Sequence, residues 1–346
     1  MPPQPSPVPR SRGSRHSRRI AGELARATSN APQAEPSPRA ETVYRPRAPI
    51  DVARTLSPLE RGHSDPTLTV DRVTGDRWLA VRNDQGDATL CIRPVTEGAR
   101  IVAFGRGSDR AIELAPELLG RGDDWSGLDL RRVPWLAEVR RRHPGLRLCR
   151  TNAVFPAIAQ AIIEQRVTGT EAHGAWAWLH RRYADRAPGP TNLVPRGLLL
   201  PLTPRQWLGI PSWDWHRAGV DHARSTALLR AAAVADGLER TLRLGRGSDE
   251  ITARLRSVPG VGVWTAAETT QRSHGDPDAP SFGDFHVAHW VGYALRGERT
   301  DDVGMRDLLE PWRGHRQRVV RLIALSDRRR EPRRAPRLEP ADHRRR

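Results

Sequence analysis

The residues best suited to chemistry lie in one stretch, from Ser248 to Ala294. Two glycines, Gly260 and Gly262, stand two residues apart in the turn Val258-Pro-Gly-Val-Gly262, between two predicted helices. Glycine has no Cβ, so the backbone of such a turn can closely approach another polar group. The next helix presents unpaired N–H groups and the positive end of its dipole at the same place. This combination favours a phosphate group, although a plain tight turn between helices is the alternative.

A carboxylate follows this turn at Asp284, after a loop rich in Gly, Pro and Asp and directly before an apolar helix. One interpretation is an N-cap for that helix. Backbone N–H bonds at a cap keep a carboxylate ionised, and an anion stabilises a cationic, oxocarbenium-like transition state. Capping and catalysis are therefore compatible. Asp276 and Asp278 are rival carboxylates in the same loop.

Aromatic and imidazole groups flank the same stretch. Trp264 stands in the first turn after the glycines, where it either lines a pocket or belongs to the core, and its position leaves both open. His286 and His289 are three residues apart on one predicted helix. Two histidines without a third ligand do not favour a metal site, so we expect no metal and no cofactor.

Charge is distributed unevenly along the 346 residues. The net charge is +17, and all 57 basic residues are arginine, which biased codon usage explains most simply. Residues 1–61 hold eleven Arg against five acids, and residues 328–346 hold nine against three. The two ends thus carry +12 of the +17. Basic composition alone is weak evidence for a nucleic-acid partner, although it suits a polyanion.

Cysteine content and hydropathy exclude several classes of protein. Cys91 and Cys149 are isolated, so they form neither a four-thiolate metal cluster nor a C-x-x-C redox pair. The N-terminus lacks the apolar run of a signal peptide, and no segment approaches the length of a membrane span. We therefore expect a cytoplasmic protein that does not bind membranes.

The hydrophobic pattern divides the chain into four parts. We predict a disordered basic tail, a small α+β module with antiparallel strands, an all-α bundle, and a second disordered Arg-rich tail. The fold class is mainly α, a multi-helix bundle with a helix-hairpin-helix motif preceded by the small sheet module. Whether that module contacts DNA is left open. The predicted boundaries are 1–61, 62–127, 128–327 and 328–346.

The hairpin, the loop after it and Asp284 together resemble the motif of a known family. Val258–Ala266, followed by the loop and Phe282–Phe285, looks like the helix-hairpin-helix plus Gly/Pro/Asp motif of a superfamily of base-excision DNA glycosylases. The sheet module before the bundle resembles the AlkA-type, 3-methyladenine branch. The resemblance covers about residues 65–325. Three further segments match in the same order: Ala161–Thr168, Gly219–Ser225 and Glu310–Arg316.

The resemblance implies a monofunctional DNA glycosylase of base-excision repair, a monomer associated with the nucleoid. Its substrate would be an alkylated purine of the 3-methyladenine kind, rotated out of damaged double-stranded DNA. Asp284 would stabilise the sugar cation or orient the attacking water, and Arg166 beside Gln165 would fill the gap left in the duplex. The backbone around Gly260 and Gly262 would hold a phosphate, and the hairpin residues implied for DNA binding are Pro259, Gly260, Val261, Gly262 and Thr265. An aromatic pocket would include Trp264, with Trp213 and Trp215 as weaker candidates.

Departures from the family pattern bear on the chemistry. Bifunctional members carry a lysine where this chain has Trp264, and the chain contains no lysine, so we expect no Schiff-base lyase activity. Glu268 replaces a tyrosine of the best-known members and is either a pocket charge that favours a cationic base or a surface charge. Arg321 stands where a pocket tryptophan is known. The alternatives are a glycosylase for deaminated or oxidised bases and a non-catalytic protein that binds damaged DNA.

Overall fold

The structure is a computed structural model that describes residues 39–329. Within this range, five strands form one antiparallel sheet, in which the first strand along the chain pairs with the fifth, the fifth with the fourth, the fourth with the third and the third with the second. The chain then continues as helices, so the fold is mainly α with a small sheet near its N-terminus, as the sequence predicts. The strands are β1 (Arg39–Tyr44), β2 (Leu68–Val70), β3 (Arg77–Asn83), β4 (Gly86–Val95) and β5 (Gly98–Phe104).

Short turns and alternating side chains explain the sheet. β3 and β4 pair from Arg77 opposite Ile92 to Asn83 opposite Gly86, which leaves a two-residue hairpin loop. One face of the sheet buries apolar residues such as Leu79 of β3 and Ile101 of β5 against a helix that follows the sheet. That helix packs across β1, β4 and β5 and closes the module.

Residues 39–61 correct one prediction. They were expected to belong to a disordered tail, yet they contain β1, a short helix at Val52–Leu56 and a 3₁₀ turn at Ser57–Leu59. β1 is an edge strand held by backbone pairing with β5, so it needs few apolar side chains. The helix has five residues, too few to show a hydrophobic period, although Leu56 is fully buried. The rest of the predicted tail, residues 1–38, lies outside the described residues, as do residues 330–346.

Fourteen α-helices occur in the described part of the chain. Most are short, and their N-termini are commonly capped by a Ser, Thr or Asp side chain, as at Thr168, Asp221 and Ser248. The helices are α1 (Val52–Leu56), α2 (Ser108–Leu118), α3 (Pro134–Arg142), α4 (Val154–Ile163), α5 (Gly169–Tyr183), α6 (Pro204–Leu208), α7 (Ser212–Arg217), α8 (His222–Ala233), α9 (Ala235–Glu239), α10 (Asp249–Arg256), α11 (Val263–Ser273), α12 (Val287–Arg296), α13 (Asp302–Leu309) and α14 (Arg316–Leu325).

Helix α4 is the central element of the bundle. It is apolar on all sides, as a helix surrounded by protein must be, and all but one of its residues are almost completely buried. It packs along α8 and α11, and its C-terminal end leads directly to Gln165 and Arg166. A separate apolar cluster joins α3, α12, α13 and α14 and supports the start of α12. No helix within residues 39–329 is long and apolar enough to span a bilayer.

Candidate active site

The glycine turn is a hairpin between α10 and α11 with one buried and one exposed side. Val258 and Val261 are buried in the core of the bundle, whereas Pro259, Gly260 and Gly262 are exposed. Gly260 has φ +100°, and a Cβ there would lie 2.6 Å from the Ala227 side chain of α8, so both backbone angle and packing require glycine. The buried valines thus fix the turn while its backbone faces solvent.

The N-terminus of α11 opens on that exposed side. Gly262 is the N-cap residue, and a Cβ built on it would meet no atom within 4 Å. The cap has no side chain that accepts from the first N–H groups of the helix. The hairpin therefore presents free backbone donors and the positive end of an eleven-residue helix dipole in a single exposed place.

Gln165 ties the end of α4 to this hairpin. Its Nε2 donates hydrogen bonds to the Gly260 carbonyl oxygen at 3.0 Å and to Thr265 Oγ1 at 2.8 Å. Thr265 is only 2% exposed, so its side chain holds Gln165 and does not face solvent. The segment around Gln165 and Arg166, predicted to fill the gap left by an extruded nucleotide, thus adjoins the hairpin that is predicted to bind phosphate.

Arg166 projects from the same junction with an unusual backbone. Its φ is +56°, one of two positive φ angles at non-glycine residues within 39–329, and its side chain is exposed. Left-handed backbone at a bulky residue costs about 1–3 kcal/mol and persists only where the surroundings enforce it. Here the end of α4 and the start of α5 at Gly169, capped by Thr168, impose the turn that directs Arg166 outward.

Asp284 meets the hairpin helix through Trp264. The Trp264 Nε1–H donates to Asp284 Oδ2 at 3.2 Å, while Asp284 Oδ1 accepts from the backbone N–H groups of His286 and Val287 at 2.8 and 3.0 Å. Asp284 therefore accepts from the backbone at the start of α12, whose N-cap residue is His286 and not Asp284 as the sequence suggests. Its other oxygen faces the first turn of α11. Trp264 is half-buried, so its indole is a wall beside the carboxylate and not part of the central core.

The loop that carries Asp284 is fastened to its surroundings by several side chains. Arg316, in the first turn of α14, bonds the Asp278 carboxylate through Nε at 2.8 Å and Nη2 at 2.6 Å. Gln271 of α11 donates to the Ala279 carbonyl oxygen and to Ser281 Oγ, both at 2.8 Å. The arrangement fixes the loop on α11 and α14, and so fixes Asp284 relative to the hairpin.

The rival carboxylates have structural surroundings. Burial opposes ionisation of Asp278, but bonds from Arg316 hold its pKa below the usual value. Burial raises the pKa of Asp276 to about 6, and its carboxylate lies directly against Gly247, where an added Cβ would approach it to 2.4 Å. Both aspartates therefore hold the loop, whereas Asp284 is the one that contacts Trp264.

Glu268 is neither a free pocket charge nor a surface charge, the two alternatives that the sequence leaves open. Its side chain is 13% exposed and forms an ion pair of 2.5 Å with Arg272, one helical turn further along α11. Ser281 donates a short hydrogen bond to its other oxygen. Burial lowers the pKa of Arg272, but Glu268 and Glu164 outweigh that effect and raise it. The charge of Glu268 is thus neutralised inside the fold.

The chain resembles known proteins in its structure and not in its sequence. No family model and no curated protein sequence matches the chain. A 3-methyladenine DNA glycosylase from Archaeoglobus fulgidus superposes with a TM-score of 0.61 at 18% identity, covering 82% of this chain and 97% of that one. The 8-oxoguanine glycosylase/lyase of Clostridium acetobutylicum in its apo form gives a TM-score of 0.63 at 13% identity, covering 84% and 98%. The same enzyme bound to double-stranded DNA gives 0.58 at 14%, covering 82% and 97%.

The chain has the fold of the helix-hairpin-helix base-excision DNA glycosylases. These matches cover more than four-fifths of the chain. The helical bundle alone is a smaller share than this, so the matches extend into the sheet module. At these identities the similarity establishes the fold, and the chemistry has to be argued from the residues of this chain.

Within this glycosylase fold, two predicted pocket residues lie elsewhere. Trp215 is 4% exposed and stacks on Trp207, with ring centroids 5.6 Å apart, so it belongs to the core between α5, α6 and α7. Its assignment to a substrate pocket is wrong, because its ring faces are covered by protein. Trp213, on the opposite side of the short helix α7, is 64% exposed and has no aromatic neighbour within the described residues.

The cavity in this structure and the side chain of Arg321 both lie apart from Asp284. A cavity of about 880 Å³ lies between the sheet and the helices, lined by residues such as Arg61, Trp176 and Glu239, and neither Asp284 nor Trp264 lines it. Nowhere in residues 39–329 do three His, Cys, Asp or Glu side chains group as a metal site would require. Arg321 of α14 points to the N-terminal module and donates to the Arg54 carbonyl oxygen at 3.0 Å.

The sequence alone missed the residues that hold the loop. Gln271 and Ser281 are ordinary polar residues in the sequence, and Arg316 was noted only as part of a family segment. Their roles depend on contacts between residues that are 10 and 38 positions apart. The single sequence signal was the pairing of an acidic loop with the arginine-rich start of α14.

Proposed function

We propose that this chain is a DNA glycosylase that hydrolyses the N-glycosidic bond of a damaged base. The observation that carries the proposal is the hydrogen bond between Trp264 Nε1 and Asp284 Oδ2. It joins a carboxylate to the first turn of the helix whose N-terminus opens beside the exposed glycines. A backbone suited to phosphate at the N-terminus of α11, and a carboxylate bonded to the first turn of the same helix, suit a reaction at the sugar of a nucleotide bound by its phosphate.

Each part of the site has a role in this proposal. The backbone N–H groups at Gly260 and Gly262 bind a phosphate of the damaged strand. Asp284 stabilises the positive charge that develops on the deoxyribose as the base departs, or orients the water that attacks the anomeric carbon. Its hydrogen bonds from the backbone N–H groups of His286 and Val287 hold the carboxylate in place.

Arg166 and Gln165 are proposed to support extrusion of the nucleotide. Extrusion costs a few kcal/mol for a damaged pair, and a side chain inserted into the vacated space offsets part of that cost. Arg166 is exposed, held in a fixed turn, and connected through Gln165 to the hairpin that would bind the phosphate. Its position relative to the hairpin therefore suits insertion beside the extruded nucleotide.

Monofunctional hydrolysis is proposed because the chain has no lysine. A lyase reaction through a side-chain Schiff base needs a primary amine, and Trp264 occupies the first turn of α11 where that amine would stand. An alkylated purine is the first candidate for the base, since a cationic base is a good leaving group and is attracted to an indole face. The fold is compatible with this branch, as the match to a 3-methyladenine DNA glycosylase illustrates.

An oxidised, uncharged base is a second candidate, favoured by the state of Glu268. Because Arg272 neutralises that carboxylate, the wall one turn beyond Trp264 carries no net charge that would select a cation. A neutral base would suffer no penalty there. The similarly close match to an 8-oxoguanine glycosylase/lyase is in keeping with this alternative.

A base-release assay tests the proposal. Duplexes that carry methylated purines or 8-oxoguanine are incubated with the wild type and with Asp284→Asn, and free bases are quantified by chromatography. We expect release by the wild type and a loss of at least a hundredfold in Asp284→Asn, with duplex affinity retained. Strand cleavage should require added alkali, because no lyase step occurs. Equal release by both proteins would refute the role of Asp284, and binding without release would indicate a non-catalytic protein.

A further inference from the structure

A row of aromatic rings begins one residue beyond Asp284, with Phe285 and His286 exposed and Trp290 half-buried against the apolar cluster of α3, α12, α13 and α14. Phe285 is 80% exposed, which is unusual for so large an apolar side chain. Its ring meets His286 edge to face at a centroid distance of 4.8 Å, and His286 stacks in parallel on Trp290 at 5.9 Å. The Arg329 guanidinium lies 5.5 Å from the centre of the Trp290 ring and closes the row. We call Phe285, His286 and Trp290 the aromatic row.

The fold holds this row in place. His286 and Trp290 are four residues apart around the start of α12, so their side chains lie above one another on one face of the helix. Phe285 precedes them at a point where the backbone is fixed on both sides, because Asp284 accepts from the N–H groups of His286 and Val287 and Gly283 N–H donates to Asp302 Oδ2 at 2.9 Å. Phe285 therefore presents its ring to solvent from a stretch of backbone that is hydrogen-bonded on both sides.

We propose that the aromatic row is a DNA-contact surface on which Phe285 stacks against a nucleobase next to the extruded nucleotide. This inference rests on the proposed function, which places a damaged duplex at the hairpin. Phe285 adjoins the carboxylate that would act on the extruded nucleotide, so the neighbouring nucleotide of that strand is the group closest to its ring. Extrusion and bending unstack that neighbour on one side and expose an aromatic face that Phe285 can cover.

The charges around the row agree with a polyanionic partner. Arg329 lies over the Trp290 ring at the end of the row. A second cation, Arg306, lies over the ring of Phe282, two residues before Asp284, at 5.0 Å. Stacking platforms flanked by cations are the usual design for binding exposed bases without sequence preference. A second copy of the chain is the competing occupant of an exposed apolar group, and the experiment below separates the two.

The test measures binding in a duplex where no chemistry is needed. The DNA carries a stable abasic-site analogue and, beside it, 2-aminopurine, whose fluorescence reports whether that base is stacked. Wild type, Phe285→Ala and Phe285→Leu are titrated at several salt concentrations. Val303→Ala is the matched control, since Val303 is also exposed, at 67%, but lies on α13 outside the row.

We expect Phe285→Ala to weaken the affinity roughly tenfold and to change the 2-aminopurine signal of the complex, with Phe285→Leu intermediate. The dependence of affinity on salt should be unchanged, because the ring displaces no counterions. Val303→Ala should bind like the wild type. Thermal denaturation should be the same for all four proteins, because neither site is in the core.

Two results would overturn the inference. Unchanged affinity and fluorescence in Phe285→Ala would show that the ring makes no contact with DNA. A concentration-dependent dimer that Phe285→Ala abolishes would assign the row to a second copy of the chain. These outcomes can be told apart from a failure of the proposed function. If the wild type releases bases and Phe285→Ala binds the duplex equally well, only this inference is rejected. If the wild type binds no damaged duplex, both this inference and the proposed function are rejected.

Discussion

Replacing Glu268 by glutamine tests whether the residue beyond Trp264 supports the fold or selects the base. In the structure Glu268 and Arg272 are 13% and 12% exposed and 2.5 Å apart. Removing one partner of a buried pair costs about 3–5 kcal/mol, because the other charge is left without compensation. Arg272 retains a weaker partner in Glu164, at 3.9 Å, so we expect a loss of about 2–3 kcal/mol.

The assay is urea unfolding, for which a slope of about 3 kcal/mol/M converts this loss into a midpoint lower by roughly 0.7–1 M. Glu250→Gln is the matched control. Glu250 pairs with Arg254 at the same i,i+4 spacing on α10, but the two side chains are 56% and 52% exposed. An exposed helical pair is worth about 0.5 kcal/mol or less, so this variant should barely move the midpoint.

Base release by the same variant completes the test. Because the charge of Glu268 is already neutralised by Arg272, Glu268→Gln should alter the release of cationic and neutral bases by the same factor below the unfolding range. Equal midpoints for Glu268→Gln and Glu250→Gln, together with a selective loss of cationic bases, would refute this reasoning. That result would assign Glu268 to recognition of the base.

Three further predictions concern the site and the core. Trp264→Phe keeps an aromatic ring but loses the N–H donor to Asp284, so single-turnover base release should slow about ten- to a hundredfold if Asp284 acts as proposed; an unchanged rate would contradict a positioning role for Trp264. Gly260→Ala should lower the thermal midpoint and weaken duplex binding, since the added Cβ lies 2.6 Å from a side chain of α8 at φ +100°; wild-type values for both would argue against this packing. Burial lowers the pKa of His180 to about 3 and that of His274 to about 4, so these histidines stay neutral in the folded chain while the unfolded chain protonates near pH 6.5. Stability should therefore fall as pH drops from 6.5 towards 4, partly offset by Asp276, whose pKa burial raises to about 6, and urea midpoints at pH 7, 5.5 and 4.5 measure the balance.

Local sequence was sufficient for most elements of the fold. The strands between 68 and 104 and the helices around the hairpin follow from alternation, helical periodicity and caps such as Ser248, all of which depend on neighbouring residues. The same dependence explains the failure at residues 39–61. An edge strand and a five-residue helix owe their existence to pairing with β5 and burial of Leu56, which no short window reveals.

The sequence by itself determined the chemistry that is possible here: a glycine hairpin suited to phosphate, a carboxylate at Asp284, and no lysine for a Schiff base. Only the tertiary structure decided which groups meet. It brings Trp264 to Asp284, moves Trp215 into the core, and pairs Glu268 with Arg272 and Ser281. The reason is physical: residue type sets what a side chain can donate, accept or ionise, whereas burial and partners come from elements distant in sequence and set which of those capacities remains free.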